Sequence, residues 1–123
     1  MLLSINPEHV ENILRGTKLF EFRKVRCKPD IDKIIIYSTA PEKMVVGEAE
    51  IEEILEDDVE TIWGITRDFS GISYKFYMSY YKDKEKAVAY KLRRVKKYKD
   101  PKPLSAYGLQ YAPQSFVYLK AAI

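Results

Sequence analysis

The stretch LLSINPEHVENILRGTKLFEFRKV, Leu2–Val25, packs three elements into quick succession. Leu2 to Asn6 reads as a short strand. Pro7 fits a first helical turn, where a missing N–H costs nothing, and Asn6 is a natural N-cap. Val10, Ile13 and Leu14 stand at i, i+3 and i+4, which gives the helix one apolar stripe. Gly16 is placed to end it in the left-handed conformation. From Lys18 to Val25 the period changes to two: Phe20 and Phe22 face one way, Glu21 and Arg23 the other.

The rest of the chain continues in strands. Lys33 to Ser38 reads as a buried strand, stopped by Thr39-Ala40-Pro41. Met44 to Leu55 is a long strand with Val45, Gly47, Ala49 and Ile51 on one face. Asp57 or Asp58 can cap a short helix through Ile62 and Trp63, and a second helix is expected from Ser73 to about Lys82. Ala87 to Tyr98 returns as a strand that Pro101 and Pro103 should break. LSAYG makes a turn, and Gln114 to Leu119 closes with a last strand. Many strands with short links favour a small, mainly antiparallel β-barrel with flanking short helices, an α+β fold dominated by β, over a parallel α/β sheet. No repeat or linker divides residues 1–123, so one domain is expected.

Composition narrows the function classes. At 123 residues, 46% hydrophobic and 32% charged, the chain can bury one core and is not of disordered type. Cys27 and His9 are each the only residue of their kind, which excludes an intrachain disulfide and leaves too few N/S ligands for a zinc site. A Ser-His-Asp or Cys-His arrangement would have to use His9, which reads as an exposed helix residue. No glycine loop of phosphate-binding pattern occurs, so no cofactor is expected. No apolar run reaches membrane-span length and no signal segment opens the chain, so the expected location is cytoplasmic.

The net charge of +3 hides three blocks. Residues 42–60 hold nine acids and one lysine, and residues 91–102 hold seven bases and one acid. As neighbouring antiparallel strands these two blocks would neutralise one another. Residues 15–28 carry six bases against Glu21 alone, with no acidic block to match. That segment is the better candidate for phosphate or base contact. Ten tyrosines stand out, four of them clustered in Tyr74–Tyr81. Tyr74, Tyr77, Met78 and Tyr81 share a face suited to packing, while Phe76 and Tyr80 lie on another side. One or two of these rings could stack on a base.

Several ordered pieces resemble the ASCH domain family of the PUA-like superfamily. They are Leu3-Ser4-Ile5-Asn6-Pro7, then Gly16-Thr17-Lys18-Leu19-Phe20-Glu21-Phe22-Arg23, then Ile36-Tyr37-Ser38-Thr39-Ala40-Pro41. Val46-Gly47-Glu48 and Pro113-Gln114-Ser115-Phe116 fit as well. The G-x-K-x-x-E-x-R element is the hallmark. The resemblance implies a small β-barrel with a cleft between barrel and helices, and a role in RNA metabolism or transcription-linked regulation. By motif the cleft would hold Lys18, Glu21 and Arg23, with Ser38 and Thr39 after the third strand and Gln114 and Ser115 opening the last. Strict alternation puts Lys18 opposite Glu21 and Arg23, so it must reach the cleft from before the strand. Some small ASCH proteins are N4-acylcytidine amidohydrolases with a Lys, a Thr nucleophile and a Glu; here Glu21 stands where that Thr would be.

The expected function is a non-enzymatic domain that recognises RNA or a nucleobase or nucleotide ligand. Arg23 would contact phosphate or a base edge, Glu21 would accept from an amine or orient Arg23, and Lys18 would contact phosphate. Two alternatives stand beside it. One is a hydrolase of a modified nucleoside, or a nuclease, with Lys18 and Glu21 as an acid/base pair. The other is a protein-interaction module using the Tyr-rich helix, to bind a partner or a second copy.

Overall fold

The computed structural model describes residues 1–119. Its elements in chain order are β1 (Leu2–Ile5), α1 (Pro7–Arg15), β2 (Phe20–Arg23), β3 (Lys33–Ser38), β4 (Met44–Asp58), α2 (Val59–Thr66), α3 (Tyr74–Tyr80), β5 (Lys86–Lys102) and β6 (Phe116–Val117). Short 3₁₀ turns follow α2 at Arg67–Phe69 and β5 at Leu104–Tyr107. The strands form one six-stranded sheet in the order β2-β5-β4-β3-β1-β6, curled into a half-barrel with short helices. No described helix is long and apolar enough to cross a membrane.

The helix signals act as their chemistry requires. The Asn6 side chain accepts from the Glu8 N–H at 3.0 Å, and Gly16 ends α1 at φ +88°. Asp58 caps α2 by accepting from the Thr61 N–H at 3.1 Å, and Ser73 caps α3 by accepting from the Phe76 N–H at 3.1 Å. Such caps each contribute about 0.5–2 kcal/mol. The stripe of α1 buries Val10 and Ile13 against Leu3, Ile34 and Ile36. A second cluster joins Phe20 and Phe22 of β2 to Ile62 of α2 and to Tyr77 and Tyr81. Each large apolar side chain fully buried this way contributes roughly 1.5–3 kcal/mol.

The acidic and basic strands are neighbours, as the charge blocks require. Glu48 stands opposite Lys96 and Glu50 opposite Arg93 in the β4–β5 ladder. Lys91 pairs with Glu52 at 2.9 Å, and Arg93 and Arg94 both reach Glu50 at 3.4 Å. Gly47 sits where this ladder shifts register, and a Cβ there would lie 2.5 Å from the Lys96 carbonyl oxygen.

Four details depart from the sequence expectation. The sheet is not wholly antiparallel: β1 and β3 run parallel, because α1 and β2 come between them in the chain. β5 passes through Pro101 to Lys102, which stands opposite Val45; a proline is tolerated near a strand end where its missing N–H disturbs little. β2 begins at Phe20, so Lys18 is not part of its alternation. β6 is only Phe116–Val117, paired with Leu3 and Leu2, so Gln114 and Ser115 precede the strand.

The sheet's two edges approach each other without pairing as strands. Ser4 of β1 receives the chain ahead of β6: its N–H donates to Ser115 O at 2.9 Å and its hydroxyl to Pro113 O at 2.7 Å. From the far edge, Arg23 of β2 reaches across to the same place. The Arg23 guanidinium spans the gap.

Candidate nucleotide-binding site

A cavity of about 180 Å³ opens at that gap, between β2, the start of α1 and the Ile72–Tyr80 segment. Lys18, Glu21, Arg23, Ser4 and His9 supply its polar lining, and Phe22, Ile72, Phe76 and Tyr80 its apolar walls. Of the residues expected from the sequence, the structure brings Lys18, Glu21 and Arg23 together here, with Ser115 bonded to Arg23.

Lys18 arrives from before the strand. The Asn12 carbonyl at the end of α1 accepts from the N–H of Lys18 at 3.1 Å, and the Leu19 N–H donates to Phe69 O at 2.9 Å. Its side chain then runs inward until only 1% of the residue is exposed. The stem lies against Gly71, where a Cβ would fall 2.7 Å from Lys18 Cβ and Cγ, and where φ is +71°. Glycine at 71 therefore answers both a left-handed backbone and a close approach. The ammonium donates to the Ser70 carbonyl at 2.5 Å, lies 4.0 Å from Glu21 Oε1, and sits 4.9 Å from the Phe22 ring centre. Burial pulls the Lys18 pKa below its ordinary value, with Glu21 opposing that shift.

The Ser70 carbonyl is itself held in place. The Ser70 hydroxyl donates within its own turn, toward Arg67 O and Ile72 O. The turn after α2 thus presents a fixed acceptor to the lysine.

Glu21 and Arg23 share a strand face at i and i+2. Arg23 donates to Glu21 Oε2 from Nη2 at 2.7 Å and from Nε at 3.2 Å. Nη2 also donates to Ser4 O at 2.9 Å, and Nη1 donates to Ser115 Oγ at 3.1 Å and Ser115 O at 3.4 Å. A guanidinium has five N–H donors, and each one here has an acceptor. Behind it, the Tyr81 hydroxyl donates to the Arg23 carbonyl at 2.9 Å. Arg23 is fully engaged in fixing Glu21 and the sheet edges. Of these three side chains, the groups left with bonding capacity toward the cavity are Glu21 Oε1 and the remaining ammonium N–H bonds of Lys18.

Sequence reasoning missed His9 in this role. It is half-buried rather than exposed, its Nδ1 is buried without a hydrogen-bond partner, and its ring meets Phe76 edge-on at 5.7 Å. Burial first, and Lys18 second, lower its pKa. The available signal was its place in the first turn of a helix that starts at Pro7, directly after a buried strand. Ser4 lies within the Leu3–Pro7 motif, and its carbonyl proves to be an acceptor for Arg23.

Ser38 and Thr39 lie elsewhere. Ser38 is buried at the end of β3, opposite Ile5 and Met44, and the Thr39 N–H donates to the Ile5 carbonyl at 3.0 Å. Gln114 and Ser115 line a neighbouring cavity with Arg23 and Tyr80. Tyr77 and Tyr81 are core residues and Phe76 and Tyr80 face the cavities, but Tyr74, expected on the packing face, is exposed at the start of α3. Among the described residues no cluster of His, Cys, Asp and Glu could hold a metal ion.

Comparison with known proteins agrees with this architecture. The family model of the ASCH domain matches residues 3–99. The crystal structure of ASCH from Zymomonas mobilis superposes with a TM-score of 0.88 at 32% identity, covering 97% of this chain and 86% of that one. A protein of Zymomonas mobilis named ASCH domain-containing ribonuclease is 37% identical over 75% of this chain and 63% of its own length. A protein of Ureaplasma parvum named large ribosomal subunit protein uL22 is 39% identical over 98% of this chain. Another from that organism, named ATP synthase subunit alpha, is 33% identical over the same share. The chain spans only 39% and 15% of the lengths of those last two.

Proposed function

The chain belongs to the ASCH domain family, and from that premise we propose that it binds single-stranded RNA by taking one nucleotide into the cavity at Lys18 and Glu21. The observation that carries this is a buried ammonium and a free carboxylate oxygen 4.0 Å apart, in a cavity walled by Phe76 and Tyr80. Every base offers an acceptor and a π-face, and an unstacked base can insert between aromatic walls as a paired one cannot. Lys18 donates to a base carbonyl or to phosphate, and Glu21 Oε1 accepts from a base N–H. Arg23 acts as a positioning residue. It holds Glu21 in one rotamer and keeps the gap between the sheet edges at a fixed width.

Titrating labelled single- and double-stranded RNA and DNA at two salt concentrations tests this. Single-stranded RNA binds with a shallow salt dependence, because few cations meet phosphate. Lys18→Ala weakens binding at least about tenfold, the size of losing one charge-assisted hydrogen bond. Equal binding of all four nucleic acids, or none at low salt, contradicts the proposal.

A second reading, RNA strand cleavage, is favoured by the lowered pKa of Lys18 and by the similarity to a protein named ribonuclease. A buried lysine with a depressed pKa can exchange a proton nearer neutrality than a solvated one. Incubation with RNA and with N4-acetylcytidine, followed by chromatography, separates binding from turnover. RNA fragments formed by the wild type and absent with Lys18→Met support cleavage.

A further inference from the structure

Two further hollows flank the central cavity and share walls with it, and their charges differ. On one side, a hollow of about 750 Å³ is reached past His9 and Phe76, and Glu8, Asp68 and Arg67 border it. Two carboxylates against one guanidinium leave it acidic, and Arg67 already lies 3.9 Å from Asp68. On the other side, a hollow of about 490 Å³ is reached past Arg23 and Tyr80. Lys24, Gln114, Ser115 and Phe116 complete it, with no carboxylate among its described lining residues. Lys24 holds its ammonium 4.7 Å from the Tyr80 ring centre, so a cation and an aromatic surface stand together at the mouth.

We infer that the RNA strand leaves the central cavity on the Lys24 side only, and that this hollow is a subsite for the adjoining nucleotide. The inference rests on the central cavity being the nucleotide site. A phosphodiester linking two nucleotides crosses the Arg23–Tyr80 wall, where Lys24 supplies the nearest unpaired positive charge among the described lining residues. The adjoining base lies against Tyr80 or Phe116, and the Gln114 amide can donate to and accept from its edge. Toward Glu8 and Asp68 a phosphate meets net repulsion. The site therefore has a direction, set by charge and not by shape, since the acidic hollow is the larger one.

The test compares uridine monophosphate with a short oligouridylate by calorimetry. The oligonucleotide binds the wild type at least about fivefold more tightly, the low end of what one stacked base supplies. The double variant Lys24→Ala/Gln114→Ala loses most of that difference, with a larger loss for the oligonucleotide than for the mononucleotide. Both side chains are exposed, so the fold stays intact, which far-ultraviolet circular dichroism checks. Arg67→Ala leaves the difference unchanged. Equal affinities of mono- and oligonucleotide for the wild type overturn the subsite and leave the central cavity standing. Loss of the difference in Arg67→Ala overturns the direction. Absence of binding by either ligand overturns the central site and the subsite together.

Discussion

Replacing Lys18 by methionine keeps a stem of similar length against Gly71 and removes an ammonium that burial disfavours. Glu21 keeps its ion pair with Arg23 when Lys18 is lost, but the buried Ser70 carbonyl loses its donor, at a cost of about 1–3 kcal/mol. Lys18→Met therefore lowers Tm modestly while losing RNA affinity; a fall in Tm as large as that of Arg23→Ala would make Lys18 a structural residue. Arg23→Ala costs more, because it leaves Glu21 buried beside an emptied gap. Breaking a buried pair costs about 3–5 kcal/mol, so denaturant melts show a large loss. His9 adds a pH signature. Its folded pKa lies below the ordinary 6.5, so the unfolded chain binds the extra proton first and stability falls as pH drops below that value. His9→Phe flattens that slope in melts taken across the acidic range. The three hallmark side chains could be found from their spacing, but their division of labour could not. Whether a guanidinium has a free donor depends on carbonyls of Ser4 and Ser115, which come from distant parts of the chain.

At the scale of elements, alternation and capping residues give α1 and β3 with the bounds expected from the sequence, because Pro7, Gly16 and Pro41 punctuate the chain chemically. Lys18 escaped the alternation because the segment ahead of β2 is held by the end of α1 and by Phe69, contacts that no local period encodes. The β4–β5 ladder was legible from charge alone, while its register shifts were not. They depend on Gly47 passing within touching distance of the Lys96 carbonyl. Gly47→Ala forces a backbone shift and costs about 1–3 kcal/mol, read as a lower denaturation midpoint. The same ladder explains why the more basic block is a poor ligand surface. With Glu48 opposite Lys96 and Glu50 held by Arg93 and Arg94, Lys96→Ala changes RNA affinity less than about twofold.

Across the whole molecule, the surplus of tyrosine is chiefly structural. The hydroxyls of Tyr77, Tyr81 and Tyr90 donate to backbone carbonyls, and burial raises the pKa of each above its ordinary value of 10. The stability they provide is complete below that value and is lost as pH rises beyond it. The expected result of an ultraviolet titration is that these phenols ionise together with unfolding, and not before it. The curled sheet, tied at its open side by Arg23, leaves one cavity where a buried cation, a carboxylate and aromatic walls meet. The most direct test of that account is a nuclear magnetic resonance titration of the labelled protein with single-stranded RNA. The account predicts shift changes concentrated on Lys18, Glu21, His9 and Tyr80, spreading toward Lys24 and Gln114. Changes centred instead on Lys96–Lys99 of β5, or none at saturating RNA, would contradict it.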